Sequence, residues 1–423
     1  MSAPLRSSSV LCFAAWLALA ACSSGTEPAA HEPAAGASGD TTVPQRDASG
    51  PGSGVAPGDA GSAQAPATQR DAALRDGDAA PSNAGDSGGT HHDDGAASRG
   101  DSATPASAVS DAAVGVYPAV SSQHLSVGAH DPSLQPTASG FYLFATGGKL
   151  GIRRSVDLAR WTDVGSVFAS QPAWIAARLG QAPPDLWAPD VSYRDGVYYL
   201  YYAGSGFGSN HSVIGLATNR TLDPASADYR WQDQGLILES NPSGQKDDWN
   251  AIDPSLALDA SGQPWLVFGS FWSGIKLRRV DAATGKLAAS DTKLYALASH
   301  GGGIEAPSIV EHGGYYYLFV SYDTCCKGVN STYRTMVGRA REIIGPYLDR
   351  TGGSMLDGKA EQLLAKDGRY IGPGGGTAFR DGGSYYYVYH YYDGQANGAS
   401  FAMLRPITWT DDGWPALGPQ LWQ

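Results

Sequence analysis

A short proline motif recurs five times in the second part of the chain and constrains its fold more than any other feature. The five prolines are Pro132, Pro189, Pro254, Pro307 and Pro373, spaced 53 to 66 residues apart. Each is followed by a glycine-containing turn and then by a run of aromatic or β-branched residues. A short strand, a tight turn and a second strand form a hairpin, so each proline opens one repeated antiparallel unit.

The repeat predicts an all-β fold, a five-bladed β-propeller. The aromatic or β-branched runs cover 141–146, 197–203, 264–271, 315–322 and 385–392. A third strand follows in each unit, at 151–155, 212–218, 274–280, 335–340 and 400–405. Long amphipathic helical patterns are absent from this part of the sequence. A multi-sheet sandwich is the alternative, but it does not explain five aligned X-Pro motifs.

Residues 1–21 have the pattern of a bacterial signal peptide. Arg6 precedes an apolar stretch over 10–21, shorter than the roughly 20 residues that a membrane-spanning helix needs. The sequence Leu-Ala-Ala-Cys at 19–22 fits a lipobox, and cleavage there would leave Cys22 at the new N-terminus, carrying lipid. An ordinary secretory signal with a chance cysteine is the alternative. We predict a lipid-anchored protein at the cell membrane or outer membrane.

Residues 22–113 contain no Phe, Trp or Tyr and are dominated by Ala, Gly, Ser, Asp, Pro and Thr. Such a segment buries too little apolar area to offset its ordering entropy, which predicts a disordered tether. Its acidic residues account for most of the net charge of −12 of the whole chain. No basic stripe is present, so we expect no nucleic-acid partner. The folded domain is therefore predicted to span 114–423.

Acidic residues stand at nearly equivalent positions in the repeats. Asp131 and Asp253 directly precede a proline, Glu305 stands two residues before one, and Asp190 directly follows one. The first strand of a propeller blade lines the central channel, so the carboxylates of Asp131, Asp253 and Glu305 are expected to converge on one pocket. Carboxylates that meet in a buried pocket raise one another's pKa, which separates a proton donor from a proton acceptor. Glycosidic bond cleavage requires that separation.

Cysteines are few in the predicted domain. Cys325 and Cys326 are adjacent, and an exported protein meets an oxidising compartment. Two cysteines alone supply too few ligands for a zinc site. We predict a structural loop role for the pair, with a vicinal disulfide as one form of it.

Several longer motifs surround these residues. They are His-Asp-Pro-Ser at 130–133, Leu-Trp-Ala-Pro-Asp at 186–190, Trp-Asn-Ala-Ile-Asp-Pro-Ser at 249–255, Phe-Gly-Ser-Phe-Trp-Ser-Gly-Ile at 268–275, Ile-Glu-Ala-Pro at 304–307, Ser-Tyr-Asp-Thr-Cys-Cys-Lys-Gly at 321–328, Gly-Pro-Gly-Gly-Gly at 372–376 and Tyr-His-Tyr-Tyr-Asp at 389–393. Together they resemble glycoside hydrolase family 43, specifically its arabinanases. The resemblance covers essentially all of 115–423.

The resemblance implies three catalytic roles. Asp131 would be the general base that activates water, and Glu305 the general acid that protonates the leaving oxygen. Asp253 would tune the pKa of the acid and hold it in position. Because the family inverts the anomeric configuration, no covalent intermediate is expected.

The resemblance also implies residues that contact substrate. Trp187 looks like a sugar-stacking platform, and Asn250 and Ser270 look like polar contacts to a furanose. The alternative for Trp187 is packing between blades. Phe207 and Trp272 are expected in the wall of the groove, with plain core packing as their alternative.

His390 lies inside an aromatic run, Tyr389 to Tyr392. A lone histidine in such a strand is usually a core residue with satisfied hydrogen bonds. The resemblance implies instead that His390 reaches a metal in the channel, namely calcium. Calcium prefers oxygen ligands, so water would supply most of the others.

The resemblance thus implies a monomeric, endo-acting hydrolase of α-1,5-linked L-arabinan from plant cell walls. An exo-acting arabinosidase or β-xylosidase of the same clan is a second interpretation, because sequence motifs report poorly on loops that block one end of a groove. A sugar-binding propeller without catalysis is a third. It predicts the loss of at least one of the three acids, and all three are present.

Overall fold

The structure is a computed structural model that describes Tyr117, residues 127–243 and residues 245–422. The predicted signal peptide at 1–21, the lipobox residue Cys22 and the predicted tether at 22–113 lie outside the described residues. Within the part described, no helix is both long enough and apolar enough to cross a membrane.

Five four-stranded antiparallel sheets follow one another along the chain, each with its strands paired in sequence order. Blade one contains β1 (Ser133–Thr137), β2 (Gly140–Phe144), β3 (Gly151–Ser155) and β4 (Thr162–Ser166). Blade two contains β5 (Trp187–Arg194), β6 (Val197–Gly204), β7 (Ser212–Asn219) and β8 (Gln232–Ser240). Blade three contains β9 (Ser255–Leu258), β10 (Pro264–Phe268), β11 (Ile275–Arg279) and β12 (Tyr295–Ala298). Blade four contains β13 (Ile304–His312), β14 (Tyr315–Tyr322), β15 (Arg334–Ala340) and β16 (Glu361–Leu364). Blade five contains β17 (Tyr370–Asp381), β18 (Ser384–Asp393), β19 (Ala399–Trp409) and β20 (Pro415–Leu417). One short helix, α1 (Ala173–Leu179), joins blades one and two, and two 3-10 turns cover Gly328–Asn330 and Met355–Asp357.

The first strands of the blades contact one another in a ring, and β1 closes the ring against β17. This arrangement confirms the predicted five-bladed propeller. The sequence repeat showed three strands per blade, and the structure adds a fourth, outer strand to each. The first of these outer strands, β4, has three exposed residues and no fully buried one. An outer strand that buries so little lacks the apolar alternation by which a strand is recognised in sequence.

Both ends of the described chain join blade five to blade one. Ahead of β1, Val127 O accepts a hydrogen bond from Ala402 N–H of β19 at 2.9 Å. Near the C-terminus, Trp422 is buried and packs edge-on against Trp161 of blade one, with ring centroids 5.6 Å apart. These contacts hold blade five against blade one, the two neighbouring blades that are not consecutive in sequence.

The residue before each repeated proline has a left-handed backbone. The φ angles are 47° at Asp131, 43° at Ala188, 55° at Asp253, 53° at Ala306 and 56° at Gly372. Proline disfavours the α region for the residue before it, and a positive φ is uncommon outside glycine. Backbone strain of this kind costs on the order of 1–3 kcal/mol per residue and clusters at functional sites. The first four of these residues line the central channel.

The residue after the proline joins neighbouring blades. Val191 N–H donates to Ser133 Oγ at 3.1 Å, and Leu256 N–H donates to Asp190 Oδ2 at 2.8 Å. Asp190, one of the acids in the repeat, therefore links blade two to blade three. Burial raises its pKa to about 7, against the opposing effect of the Leu256 hydrogen bond.

Candidate active site

Three acids meet at one end of the channel. Asp131 and Asp253 line it beside Ala306 and Gly375, and Glu305 is buried with 7% of its surface exposed. The charges of Glu305 and Asp131 both raise the pKa of Asp253, which places the three carboxyl groups within electrostatic reach of one another. The convergence expected from the proline repeat is confirmed for these three acids, whereas Asp190 lines a different cavity.

Asp131 is held through one of its two oxygens. Its Oδ2 accepts a hydrogen bond from Thr146 Oγ1 at 2.7 Å and lies 2.8 Å from His130 Nδ1. Its Oδ1 lies 3.5 Å from His390 Nδ1. A Cβ atom at Gly375 would lie only 2.6 Å from Oδ1, so the glycine leaves the space that this oxygen faces.

The neighbours of Asp131 keep it ionised. Burial alone would raise the pKa of Asp131, but the charge and hydrogen bond of His130, together with His390 and Thr146, lower it to about 2. The sequence argument expected carboxylate repulsion to separate donor from acceptor. That expectation is wrong for Asp131, because imidazole and hydroxyl groups set its pKa. An ionised carboxylate with one free oxygen is suited to act as a general base.

Glu305 is held by hydroxyl groups alone. Ser270 Oγ donates to its Oε2 at 2.7 Å, and the Tyr333 hydroxyl donates to its Oε1. Burial raises the pKa of Glu305 and the charge of Asp131 raises it further, while the two hydrogen bonds oppose the shift. A carboxyl group whose pKa is raised by its surroundings is suited to act as a general acid.

Asp253 supports the turn that carries the acid. Its Oδ2 accepts the backbone N–H of Ala306, the residue after Glu305, at 2.9 Å. Burial raises the pKa of Asp253 well above its usual range, and the charges of Glu305 and Asp131 add to that effect. Two neighbouring carboxyl groups with raised pKa values, Asp253 and Glu305, favour a proton held on the pair while Asp131 is ionised.

The predicted substrate contacts have different surroundings. Trp187 is half-buried at the start of β5, two residues before its proline, the position that Glu305 has in blade four. Asn250 is buried, and its Oδ1 has no hydrogen-bond partner among the described residues. Ser270 directs its hydroxyl hydrogen to Glu305.

Two aromatic side chains assigned by sequence to the wall or the core are exposed. Phe207 has 85% of its surface exposed and Trp272 has 47%. This exposure excludes the core alternative for both. Their contact with sugar stays a prediction.

His390 is fully buried, and its Nε2 has no hydrogen-bond partner within the part of the chain described. Burial lowers the pKa of His390 well below its usual range, and the adjacent His130 adds to this effect. A neutral imidazole is the form that binds metal. One ligand atom each from His130, Asp131 and His390 lies within 4.8 Å of the others. These residues fit a cation that receives one ring nitrogen and takes oxygen ligands from water.

The tautomer of His390 decides whether Nε2 is free. Its Nδ1 lies 3.1 Å from the Asp131 amide nitrogen and 3.5 Å from Asp131 Oδ1. The amide N–H favours an acceptor at Nδ1, which places the ring proton on Nε2. The carboxylate favours a proton on Nδ1, which leaves the Nε2 lone pair for a metal. A cation bound at Nε2 would require the second tautomer.

Four residues of the site were not assigned by sequence reasoning. The motifs contain His130 and Tyr392, whose hydroxyl lies 2.8 Å from His130 Nε2, but indicate no role for them, and Thr146 and Tyr333 lie outside the motifs. Thr146 and Tyr333 lie just outside strand ends, where the alternation pattern carries no information about facing. The signal that was available is the motif itself, since His130 directly precedes the candidate base.

Cys325 and Cys326 form a vicinal disulfide, which confirms the predicted structural pairing. Cys326 has a left-handed backbone with φ of 65°. Its Sγ lies 3.7 Å from His130 Nε2, so the disulfide turn is part of the site.

The sequence profile of the glycosyl hydrolases family 43 matches residues 125–415. The chain belongs to this family. It is 38% identical over 302 residues to the extracellular exo-α-(1→5)-L-arabinofuranosidase ArbA of Cellvibrio japonicus, covering 69% of this chain and 86% of that protein. It is 40% identical over 291 residues to the extracellular endo-α-(1→5)-L-arabinanase 1 of Bacillus subtilis, covering 68% and 87%.

Solved structures of the family share the architecture. The α-L-arabinanase of Cellvibrio cellulosa complexed with arabinohexaose matches with a TM-score of 0.66 at 38% identity, covering 69% of this chain and 96% of that one. The GH43 endo-arabinanase of Bacillus licheniformis matches with a TM-score of 0.63 at 40% identity, covering 71% and 100%. The family 43 propeller is thus supported by sequence and by structure.

Proposed function

We propose that this family 43 chain hydrolyses the α-1,5 bonds of L-arabinan, acting within the polymer and inverting the anomeric configuration. The observation that carries the proposal is the contrast at one end of the channel between Asp131, which contacts imidazole and has a lowered pKa, and Glu305, which contacts only hydroxyl groups and has a raised pKa. Inverting glycosidases need this pair, one group to activate water and one to protonate the departing sugar.

Asp131 and Glu305 each carry out one proton transfer of the reaction. Asp131 Oδ1 takes a proton from a water molecule while the water oxygen bonds to the anomeric carbon. Glu305 gives its proton to the glycosidic oxygen as the bond from that oxygen to the anomeric carbon breaks. Ser270 and Tyr333 keep the acid in place throughout, and Asp253 anchors the backbone that follows it.

The substrate class is supported by the relatives and by the surface. The relatives are named for α-(1→5)-L-arabinan bonds, with both endo and exo action among them. Trp187, Phe207 and Trp272 offer partly exposed aromatic faces, to which furanose rings bind by apolar contact.

The test is incubation of the purified enzyme with linear debranched arabinan and chromatography of the products over time. Endo action releases a range of oligosaccharides early, whereas exo action releases one short product from the start. The exo alternative is favoured by the resemblance to ArbA, and a single early product would establish it. Binding without any release of reducing ends would establish the sugar-binding alternative.

We propose that the His390 ring holds a calcium ion through Nε2, with water as the remaining ligands. When bound, the ion supplies positive charge close to Asp131. The buried, neutral and unpartnered ring nitrogen supports this proposal.

We propose further that the protein is exported and anchored through lipid on Cys22, and that it acts as a monomer. The relatives named extracellular support export, and the lipobox pattern supports the anchor. Cys22→Ser should release the full-length protein from membranes, while a chain starting near Ala113 should remain fully active in solution. Continued membrane association of the Cys22 variant would contradict the anchor, and size-exclusion chromatography tests the monomer.

A further inference from the structure

A chain of hydrogen bonds leads from the disulfide turn to Asp131. Cys326 N–H donates to the Tyr392 hydroxyl oxygen at 2.8 Å. That oxygen lies 2.8 Å from His130 Nε2, and His130 Nδ1 lies 2.8 Å from Asp131 Oδ2. The chain joins the loop after β14, the strand β18 and the turn before β1, which belong to three different blades.

The donors in this chain have a defined direction. The Tyr392 oxygen accepts the Cys326 N–H, so the Tyr392 hydrogen is available to His130 Nε2. The neutral His130 ring then carries its proton on Nδ1 and donates it to Asp131. In the charged ring both nitrogens carry hydrogen, and Nδ1 still donates to Asp131. The contact with Asp131 is therefore kept in either charge state.

The turn that supplies the Cys326 N–H is held firmly. The two adjacent cysteines are bonded to each other. At the base of the loop, Thr332 N–H donates to Thr324 O at 2.9 Å, and Lys327 N–H donates to Ser331 Oγ at 3.0 Å. A donor fixed in this way restricts where the Tyr392 hydroxyl can lie.

We propose that His130 is the positioning residue of the base, and that the Cys325–Cys326 turn, acting through Tyr392, fixes the plane of its ring. The inference rests on the proposed function, because it takes Asp131 as the base. With Oδ2 held by His130 and Thr146, the carboxylate presents Oδ1 to the attacking water. Without His130 the carboxylate rotates, and a misplacement of about 1 Å lowers the rate on the order of 10²-fold.

Two substitutions at His130 distinguish the hydrogen bond to Asp131 from the space that the side chain fills. His130→Asn places an amide nitrogen near the former Nδ1 and keeps a donor for Asp131. His130→Gln reaches towards the former Nε2 and keeps only the Tyr392 contact. On arabinan we expect His130→Gln to lose roughly 10- to 100-fold in kcat with KM within about twofold of wild type. The Asn variant should keep the larger kcat, and an equal or smaller kcat for Asn overturns the proposal.

The role of the turn is tested at Tyr392. Tyr392→Phe should lower kcat about 3- to 30-fold at unchanged KM, within the range expected for a small misplacement. Tyr391, the neighbour of Tyr392 in β18, packs edge-on against Tyr370. Tyr391→Phe is therefore the matched control and should keep the wild-type kcat. Wild-type kcat in Tyr392→Phe overturns the proposal.

A double-mutant cycle then asks whether the disulfide acts through Tyr392. Replacing both cysteines, Cys325→Ser with Cys326→Ser, should lower kcat in the wild-type background and add little in the Tyr392→Phe background. Fully additive losses overturn this part of the proposal.

Failure of the inference and failure of the proposed function give different results. A wild-type enzyme that releases no product from arabinan overturns both. An active wild type with an inactive Asp131→Asn variant, but with His130→Gln and Tyr392→Phe at wild-type kcat, overturns the positioning role alone.

Discussion

Asp131, which is half-buried, and Glu305, which is buried, are carboxylic acids at the same end of one channel, and their surroundings drive their pKa values in opposite directions. Asp131 contacts one imidazole at 2.8 Å, faces a second at 3.5 Å and accepts a threonine hydroxyl. Glu305 contacts only neutral hydroxyl groups. The pKa of Asp131 is lowered to about 2, whereas burial raises that of Glu305. The neighbours of each carboxyl group, rather than the carboxyl group itself, therefore determine which one acts as base and which as acid.

The two sets of neighbours come from different blades. Asp131 of blade one faces His390 from the strand β18 of blade five. Its neighbour His130 contacts Tyr392 from the same strand. Glu305 of blade four receives Ser270 from blade three. Each acid is therefore tuned across a blade interface, and the charge of Asp131 also raises the pKa of Glu305.

The largest effect that separates the two residues is expected from their amide variants. Glu305→Gln and Asp131→Asn should each lower kcat on arabinan on the order of 10²–10⁴-fold, because each removes one proton-transfer group. A 4-nitrophenyl α-L-arabinooligosaccharide, whose leaving group needs no acid, should restore turnover in Glu305→Gln only. Recovery in Asp131→Asn instead would exchange the two roles.

The pH dependence should sharpen the contrast. The active form carries a protonated Glu305, whose pKa is raised, so kcat should fall as pH rises through that pKa. Asp131 is ionised down to about pH 2, so the loss of its base function begins only near that pH. Tyr333→Phe removes a hydrogen bond that lowers the pKa of Glu305, and the basic limb should move to higher pH.

Tyr322→Phe is the matched control for that shift. The Tyr322 hydroxyl is buried and has no hydrogen-bond partner in the described part of the chain, so its removal should leave the basic limb in place. A basic limb in Tyr333→Phe that is unchanged or lies at lower pH than in wild type would show that Tyr333 does not lower the pKa of Glu305.

Removal of a metal from the Asp131 side of the channel should lower activity by less than the substitutions above. Chelation should lower the thermal stability and activity of the wild type, because a metal bound only to the native state stabilises it by mass action. Calcium should restore the chelated wild type but should leave His390→Ala unchanged. Elemental analysis that finds no metal in the purified protein would leave His390 as a core residue.

The smallest effect is expected at Asp190, an acid of the same repeat that joins blades. Its pKa is raised to about 7, so the folded state binds its proton more tightly than the unfolded state. The stability it contributes is present below the usual pKa of an aspartic acid and is lost as pH rises towards 7. Asp190→Asn should therefore gain thermal stability relative to wild type between pH 5 and pH 8. If the difference in thermal stability between Asp190→Asn and wild type is the same at pH 5 and pH 8, the raised pKa of Asp190 is contradicted.

The sequence predicted the features that one segment carries by itself. The five X-Pro motifs defined the blades, and the position of Asp131, Asp253 and Glu305 relative to proline brought them to one end of the channel. The tuning of the acids depends on residues far apart in sequence, as with His130 and Tyr392, which are 262 positions apart. Such pairs form only when the ring closes, and strand alternation does not reveal them.

The left-handed residue before each proline was also beyond sequence reasoning. The usual preference before proline is extended backbone, and only the interlocked blades keep the strained form. Ala306 shows the reason, because its N–H reaches Asp253 Oδ2 in that conformation.

The stereochemistry of the first product tests the division of roles most directly. If Asp131 activates water and does not attack carbon, hydrolysis of α-linked arabinan proceeds with inversion. Proton NMR during the first minutes, before mutarotation, should then show the newly formed reducing end as the β-anomer. An initial α-anomer would mean that a carboxylate bonds to the anomeric carbon, and the assignment of Asp131 as the base would be wrong.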